Sequence, residues 1–503
     1  MIAERDERIK LLEQKIDLLI RRLFGAKCEK IDSAQLLLLL QGSDEPGKSG
    51  EPMSVAETPW CSKEELTLPN KPDRPGKRRS SRDSRLPEHL PVVEEVVVPE
   101  AVQLQPQQWR QIGEETSERL DYEPARFLRL RTVRPKYVRR NDLDAVPIIA
   151  PLPPVLLERS IVGPGLLAQI IVGKYCDHLP LYRQESIYWS RHKVWLPRQS
   201  LCDWVDLAAQ WLKPVCEEIQ KDVLLGGYVQ IDETPVRYLA PGTGKIQQGY
   251  LWACAKPKGD VIFHWKTSRA AHSLESILPV DFRGIVQCDG YEAYDCMARK
   301  RQGKVTLSSC MAHIRRKIFE AQDQSPRIAG WLLLQIKNLY VIEARLRTNR
   351  AGPRLREAIR SAQSRMIFQR LHRALLRLSK GRRFLPQSAM GKAISYALGQ
   401  WPGLTAWLED GRVELDNNRV ENGIRPTAIG KKNWLFIGRA GAGERSAILY
   451  TIIEACRRQK IDPFAYLRDV FTRLPSMTTG QLSSITPANW AKDDHAPAES
   501  IAA

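Results

Sequence analysis

Two apolar runs in this chain end on carboxylates. YVQIDETPVRYL, residues 228–239, alternates as a strand does, yet holds Asp232 and Glu233 at its centre. GIVQCDGYEAY, residues 284–294, reads as a buried strand that stops at Asp289 and a glycine before a helix. Desolvating a carboxylate in such a place is unfavourable unless a partner offsets it. Whatever fold forms must therefore bring something to these acids.

The surrounding pattern says which fold. The first run is followed by a PGTGK turn, the strand GYLWACAKP, a KGD turn and the strand VIFHWKTS, which together read as an antiparallel meander. A helix over residues 271–278, the strand ending at Asp289, a second helix, the strand KVTLSSC and the helix MAHIRRKIFEAQ complete the order βββαβαβα, an α/β layered domain. In that order the first and fourth strands can lie side by side, and Asp232 and Asp289 then face each other. Without a cation one of two such carboxylates is pushed to protonate. A hard divalent cation resolves the repulsion, and Mg²⁺ takes one or two carboxylates together with phosphate and water.

A third acid would complete a two-metal site. The stretch ELDNNRVENGIRP, residues 414–426, offers Glu421 in the first turn of a helix capped by Asn417 or Asn418. Asn418 followed three residues later by Glu421 also reads as a capping box, and Glu414 and Asp416 are rivals for the same role. Glu233 competes with Asp232, although strand alternation turns it to the opposite face. Two metals about 3.5–4 Å apart would clamp an in-line displacement at phosphorus.

Charge points to the same substrate class. The chain carries 77 basic and 58 acidic residues, a net charge of +19, which suits a polyanionic partner such as nucleic acid. Its ten cysteines contain no CxxC pair, so neither a disulfide framework nor a paired zinc ribbon is suggested and reduced thiols are expected. MIAERDERIK lacks the apolar core of a signal peptide, and the five leucines at residues 36–40 are far too short a run to cross a membrane. The expectation is a soluble, cytoplasmic protein with no membrane partner.

The rest of the chain divides by composition. Residues 1–40 read as a coiled-coil helix with Ile9, Leu12, Ile16, Leu19 and Leu23 on its seam. Residues 41–90, including KPDRPGKRRSSRDSR, read as a disordered basic linker able to grip phosphates. Residues 91–150 are β-rich, with VVEEVVV and RFLRLRTVRPKYVRR as strands. Residues 151–225 are helical, with helices from Leu166, from Leu181 and, after a turn at 192–197, from Arg198. That pair reads either as a helix-turn-helix or as part of a plain bundle. Residues 226–430 hold the α/β domain with a basic helical insertion at about 325–410. A compact segment at 431–475 and a polar, loosely ordered tail at 476–503 follow.

Several motifs now carry a resemblance. KYCDHLPLYRQE at 174–185, DET from Asp232, CDGYEAY at 288–294, AHIRRK at 312–317, DNNRVENGIRP at 416–426, KKNWLF at 431–436 and DPFAYLRDV at 462–470 are similar to those of the insertion sequence 66 family of bacterial transposases. They come in the family's order and span nearly the whole chain. The resemblance implies a ribonuclease H-like catalytic core with an Asp-Asp-Glu triad, which by motif is Asp232, Asp289 and Glu421, holding two Mg²⁺ ions that Mn²⁺ can replace. It implies a DNA transposase that binds the terminal inverted repeats of its element, cuts to 3′-hydroxyls and joins them to target DNA. Double-stranded DNA, a homodimer or higher assembly on it, accessory proteins of the same element and a place at the bacterial nucleoid are the partners and location implied.

His313, Arg315, Arg316 and Lys317 in AHIRRK, Arg425 in the glutamate motif, and Lys431 and Lys432 are candidates for phosphate contact. Arg198 joins them from the helix-turn-helix reading. A buried structural role for His313 and plain solvation for the two lysines are the alternatives. The family usually carries a cysteine-rich zinc module, whereas residues 103–140 contain no cysteine. A degenerate, zinc-free module held by packing alone is expected there. Cys296, Cys310 and His313 have the wrong spacing for zinc, so no zinc is expected. The rivals to a transposase are an inactive DNA-binding derivative and a ribonuclease H-like nuclease specific for branched structures.

Overall fold

A computed structural model describes Leu86 and residues 90–491, apart from 124–125, 140–145, 158–159, 241–244 and 382. The expected coiled coil at 1–40, all of the expected linker but Leu86 and Leu90, and the chain after residue 491 lie outside the described residues.

The first sheet contains β1 (Val92–Val96), β2 (Trp109–Glu123), β3 (Arg126–Arg139) and β4 (Ile148–Ile149), with a short helix α1 (Glu100–Leu104) after β1. Its order is β1-β3-β2, with β4 added to β3. Strand β2 was not expected, because WRQIGEETSERLDYE is too polar to show an apolar period. Its partners explain it. Glu118 binds Arg129 and, at 2.6 Å, Arg131, and Glu115 binds Arg134 at 2.7 Å and Lys136 at 2.8 Å, all across the β2–β3 pair. The expectation of a module held by packing alone is therefore corrected: cross-strand ion pairs line it. Leu120 and Phe127 tie the hairpin to the main core.

Helix α2 (Pro164–Tyr175) begins where the Asp121 carboxylate of β2 accepts the Leu166 N–H at 2.8 Å. Helix α3 (Leu181–His192) ends at Lys193, whose φ of 56° turns the chain. Helix α4 (Arg198–Leu225) is 28 residues long and buries Leu201, Trp204, Val205, Leu212, Val215 and Ile219. The sharp turn between two helices is present. The second helix is a core helix along most of its length, and Arg198 and Gln199 stand exposed at its opening.

The second sheet has six strands. They begin with β5 (Tyr228–Leu239), β6 (Ile246–Ala255) and β7 (Val261–Lys266). Then come α5 (Ala271–Ile277), β8 (Gly284–Cys288), α6 (Glu292–Lys300), β9 (Val305–Ser309) and α7 (Met311–Glu320). The order is β7-β6-β5-β8-β9, with β5, β6 and β7 antiparallel and β5, β8 and β9 parallel. Two glycines lock the central register. Gly284, at φ +148°, lies so close to Gly227 that a Cβ would sit 1.9 Å from its carbonyl oxygen. Ile285 N–H donates to that same oxygen at 2.8 Å.

The insertion follows as α8 (Pro326–Thr348), α9 (Pro353–Ile359), a π-helical turn, α10 (Arg365–Lys380) and α11 (Ala389–Glu409). These helices share a core of Leu332, Leu339, Phe368, Leu371, Trp401 and Trp407 with Met311 and Ile314 of α7. Buried among them is a charge cluster. Arg360 donates to Glu343 at 2.7 and 2.9 Å and to the carbonyl of Val413 at 2.9 Å. Arg356 bridges Glu343 at 2.9 Å and Glu414 at 3.0 Å. Burial alone would raise the Glu343 carboxyl, but the two guanidinium groups outweigh it and hold the carboxyl below its ordinary range.

The chain then forms α12 (Asn418–Trp434), β10 (Ile437–Arg439), α13 (Gly441–Gln459), α14 (Pro463–Arg473) and α15 (Pro487–Trp490). Strand β10 pairs with the end of β5. The boundary expected after residue 430 falls inside α12, and α13 packs on β7, where Thr451 accepts the Phe263 N–H at 2.9 Å. The expected loose tail is corrected for residues 476–491. Leu482 and Ile485 are buried, and Tyr466 donates to the Ile485 carbonyl at 2.7 Å.

Removing one member of a buried ion cluster strands the others. Arg360→Ala should lower stability by about 3–5 kcal/mol. Arg412→Ala, a half-exposed pair with Asp410, should lower it by less than about 1 kcal/mol. Urea denaturation of the two variants checks this. Because the Glu343 carboxyl is depressed on folding, its contribution holds above the ordinary carboxylate pKa and fades as pH falls below it.

Candidate active site

Strands β5 and β8 pair only as far as Gln230 and Gln287, which face each other in register. Each is followed two residues later by an aspartate on the same face, Asp232 and Asp289. The aspartates stand where the two strands part, at the carboxyl end of β8. Adjacent parallel strands are about 4.8 Å apart, so both carboxylates open into one gap.

The third acid arrives from α12, whose position is fixed by the segment before it. Gln230 donates to the Asp416 carbonyl at 2.9 Å and Gln287 to the Glu414 carbonyl at 2.8 Å. The two glutamines also bond to each other at 2.8 Å, and Tyr228 donates to Gln287 at 2.7 Å. Met311 N–H reaches the Leu415 carbonyl at 3.1 Å. Residues 413–417 are thus laid across the ends of β5, β8 and β9. Glu421, one turn into α12, then comes close enough to raise the Asp232 carboxyl electrostatically.

Charge is crowded around Asp232. Burial first, then the charges of Glu233, Glu421 and Asp289, push Asp232 up to about 8. Glu421 Oε1 is buried with no hydrogen-bond partner. All three acids are half-buried, and among the described residues Asp232 has no cationic side chain paired with it, so their oxygen donors suit a divalent cation.

Glu233 behaves differently. Alternation turns it to the other face of β5, where Arg269 Nε donates to it at 2.5 Å and Tyr294 of α6 at 3.0 Å. Arg269 also lies 3.9 Å from Asp289 and stacks 3.7 Å above the Tyr291 ring. Tyr291 N–H donates to Asp289 at 3.0 Å and orients it. Glu414 is taken by Arg356 and Arg347, and Asp416 accepts the Asn418 N–H at 3.2 Å. Glu414 is therefore occupied by the arginines, whereas Asp416 accepts a single backbone N–H. The capping box is corrected as well: Asn417 is the cap residue, its side chain makes no hydrogen bond, and Glu421 is the fourth helical residue.

The basic candidates separate. His313 Nε2 lies 3.6 Å and Arg316 3.7 Å from Glu421. Arg315 and Arg316 are exposed and line an open pocket beside the acids with Phe319, Tyr340 and Asn418. Lys337, not singled out in the sequence, extends this surface along α8 with Arg315 and Tyr340. Lys317, Arg425 and Lys432 are exposed. Lys431 is not simply solvated: its ammonium sits 3.3 Å from Thr234 Oγ1 and the Pro235 carbonyl. Arg198 pairs with Glu185 at 3.4 Å. Cys310 and His313 do converge, but on Glu421 rather than on Cys296.

Gln230 and Gln287 were missed as functional residues, although the signal was present. Both strands carry Gln-x-Asp, in VQID and VQCD, which is a polar pair on one strand face.

Comparisons with known sequences fit this arrangement. A family model described as "Transposase IS66 family" matches residues 159–445 and takes in all three acids. "IS66 C-terminal element" matches residues 451–487, and "Transposase C of IS166 homeodomain" matches 11–94. Uncharacterized protein y4jD of Sinorhizobium fredii (strain NBRC 101917 / NGR234) is 34% identical over 81% of this chain and 82% of its own length. Uncharacterized protein y4qI of the same organism is 34% identical over 80% of this chain and 77% of its own. The chain belongs to the IS66 family of transposases.

Proposed function

We propose that the chain is a DNA transposase of the Asp-Asp-Glu type, built on a ribonuclease H-like core, with Asp232, Asp289 and Glu421 as its metal ligands. The observation that carries this reading is the placement of Asp232 and Asp289 beyond the paired ends of β5 and β8, with Glu421 of α12 near enough to raise Asp232. The strand order β7-β6-β5-β8-β9, with its parallel central trio, supports the fold assignment. Mg²⁺ is the cofactor, Mn²⁺ its substitute, and double-stranded DNA the substrate.

Cations at these carboxylates would stabilise charge on the attacking and leaving oxygens at phosphorus. The chain's own groups do the rest. Water attacks a phosphorus at the element's end, the bond to the 3′-oxygen breaks, and a 3′-hydroxyl and a 5′-phosphate result. That 3′-hydroxyl then attacks a target phosphorus and displaces a target 3′-oxygen. Arg315, Arg316 and Lys337 would carry the phosphate backbone along the groove beside Glu421, with Phe319 and Tyr340 as its apolar floor. Arg269 holds Glu233 and steadies Asp289 without taking up either oxygen of Asp232. Among the described residues no helix is long and apolar enough to cross a membrane.

Three outcomes test the reading. On labelled DNA carrying the element's ends, Mg²⁺-dependent nicking that leaves a 3′-hydroxyl should fall at least about 1,000-fold in Asp289→Asn, a loss of about 4 kcal/mol of transition-state stabilisation. End binding without nicking in Mg²⁺ or Mn²⁺, even with the element's other proteins added, would instead mark an inactive DNA-binding derivative.

Metal binding should also release a proton. Asp232, raised to about 8, is largely protonated at neutral pH, and coordination requires the carboxylate. Apparent Mg²⁺ affinity should therefore climb as pH rises and level off above about 8. Calorimetric titration in buffers of different ionisation enthalpy reads the proton count.

Arg315→Ala and Arg316→Ala should each lower the salt dependence of DNA binding by about one unit of slope, at equal effect on unrelated sequences.

A further inference from the structure

Cys310, His313 and Glu421 each offer one ligand atom, and those atoms lie within 4.8 Å of one another. A tetrahedral zinc ion with bonds of about 2.0–2.3 Å spaces its ligands about 3.3–3.8 Å apart, so closing the group by about 1 Å makes the site. The parts are well placed for it. Cys310 is the residue before α7, and His313 lies in the first turn of that helix. The Cys310 sulfur already accepts the Asn417 N–H at 3.4 Å and the backbone N–H groups of Ala312 and His313. Burial outweighs these donors and pushes the Cys310 thiol up to about 12, so the sulfur gives up its proton only to a bound metal. His313 Nδ1 and Glu421 Oε1 are buried without a hydrogen-bond partner. Magnesium has no use for a thiol or an imidazole, since it takes oxygen ligands. Sulfur and nitrogen donors select a softer ion.

We propose that Cys310, His313 and Glu421 form a second metal site, for a thiophilic divalent cation such as Zn²⁺, and that filling it withdraws Glu421 from the catalytic acids and stops strand cleavage. The binding stands on the geometry of the three side chains alone. The inhibition rests on the Asp-Asp-Glu reading above. The thiol proton passes to solvent as the sulfur–metal bond forms, and water completes the fourth position. Glu421 serves one site or the other, so hard and soft cations would set the enzyme in opposite states.

Cobalt is the probe, because a cobalt–thiolate bond gives a charge-transfer band. Titrating the full chain with Co²⁺ should produce that band, and Cys310→Ser should lose one equivalent of it relative to wild type. His313→Ala, which leaves the sulfur in place, should weaken this cobalt binding by at least about ten-fold. Zn²⁺ should bleach the band and excess Mg²⁺ should not. In the nicking assay, the half-inhibitory Zn²⁺ concentration should rise at least about ten-fold in Cys310→Ser. Circular dichroism checks that each variant folds, and His313→Ala carries the test if Cys310→Ser does not. A cobalt titration unchanged in the folded variants, or no band in wild type, overturns the proposal. Nicking with no such band sinks the soft-metal site and leaves the catalytic reading standing. The band without any nicking does the reverse.

Discussion

The placement of residues 413–417 decides where Glu421 lies relative to Asp232 and Asp289. That segment is gripped from both sides by buried polar groups. Gln230 and Gln287 hold its carbonyls from the sheet, and Arg356 and Arg360 hold Glu414 and Val413 from the insertion. A buried amide or carbonyl left without a partner is unfavourable by about 1–3 kcal/mol, and a stranded charge by more. Sliding the segment by one residue would break all of these bonds together. Glu421 is therefore delivered to Asp232 by a directional lock, which greasy packing alone would not supply.

In the proposed reading the insertion is for this reason part of the scaffold of the site rather than an appendage. Its helices have a core of their own, yet that core includes α7, which supplies the arginines beside Glu421. Glu343 on α8 and Arg360 after α9 connect that core to the strand ends. The groove between α7 and α8 then runs from the acids along a basic, partly aromatic surface. The basic surface proposed to hold DNA and the groups that aim the acids share the same helices.

Much of this was legible in the sequence, for physical reasons. The meander and the two parallel strands showed because their apolar residues alternate or run together between clear turns. Asp232 and Asp289 showed because a carboxylate breaks such a run. Strand β2 did not, since it is stabilised by ion pairs to β3 and its own residues are mostly polar. The short helices after residue 476 were hidden in the same way: Leu482, Ile485 and Trp490 are too sparse to mark a period. The capping reading of Glu421 failed because it placed the cap one residue late. The convergence of Cys310 and His313 on Glu421 crosses more than a hundred residues of chain and a whole helical insertion, which no local spacing reveals. That Glu414 is held by the arginines of α8 and α9 showed only once those helices were in place.

The insertion also sets when the site can exist. Asp289 and Glu421 are separated in sequence by 132 residues, the difference of their numbers. Contacts so distant form late, after the intervening helices have emerged and folded. A ribosome that has reached the middle of the insertion holds a chain with two of its three acids and nothing to aim the third. A nascent or truncated chain of this kind can fold its sheet and still lack the third acid beside the other two.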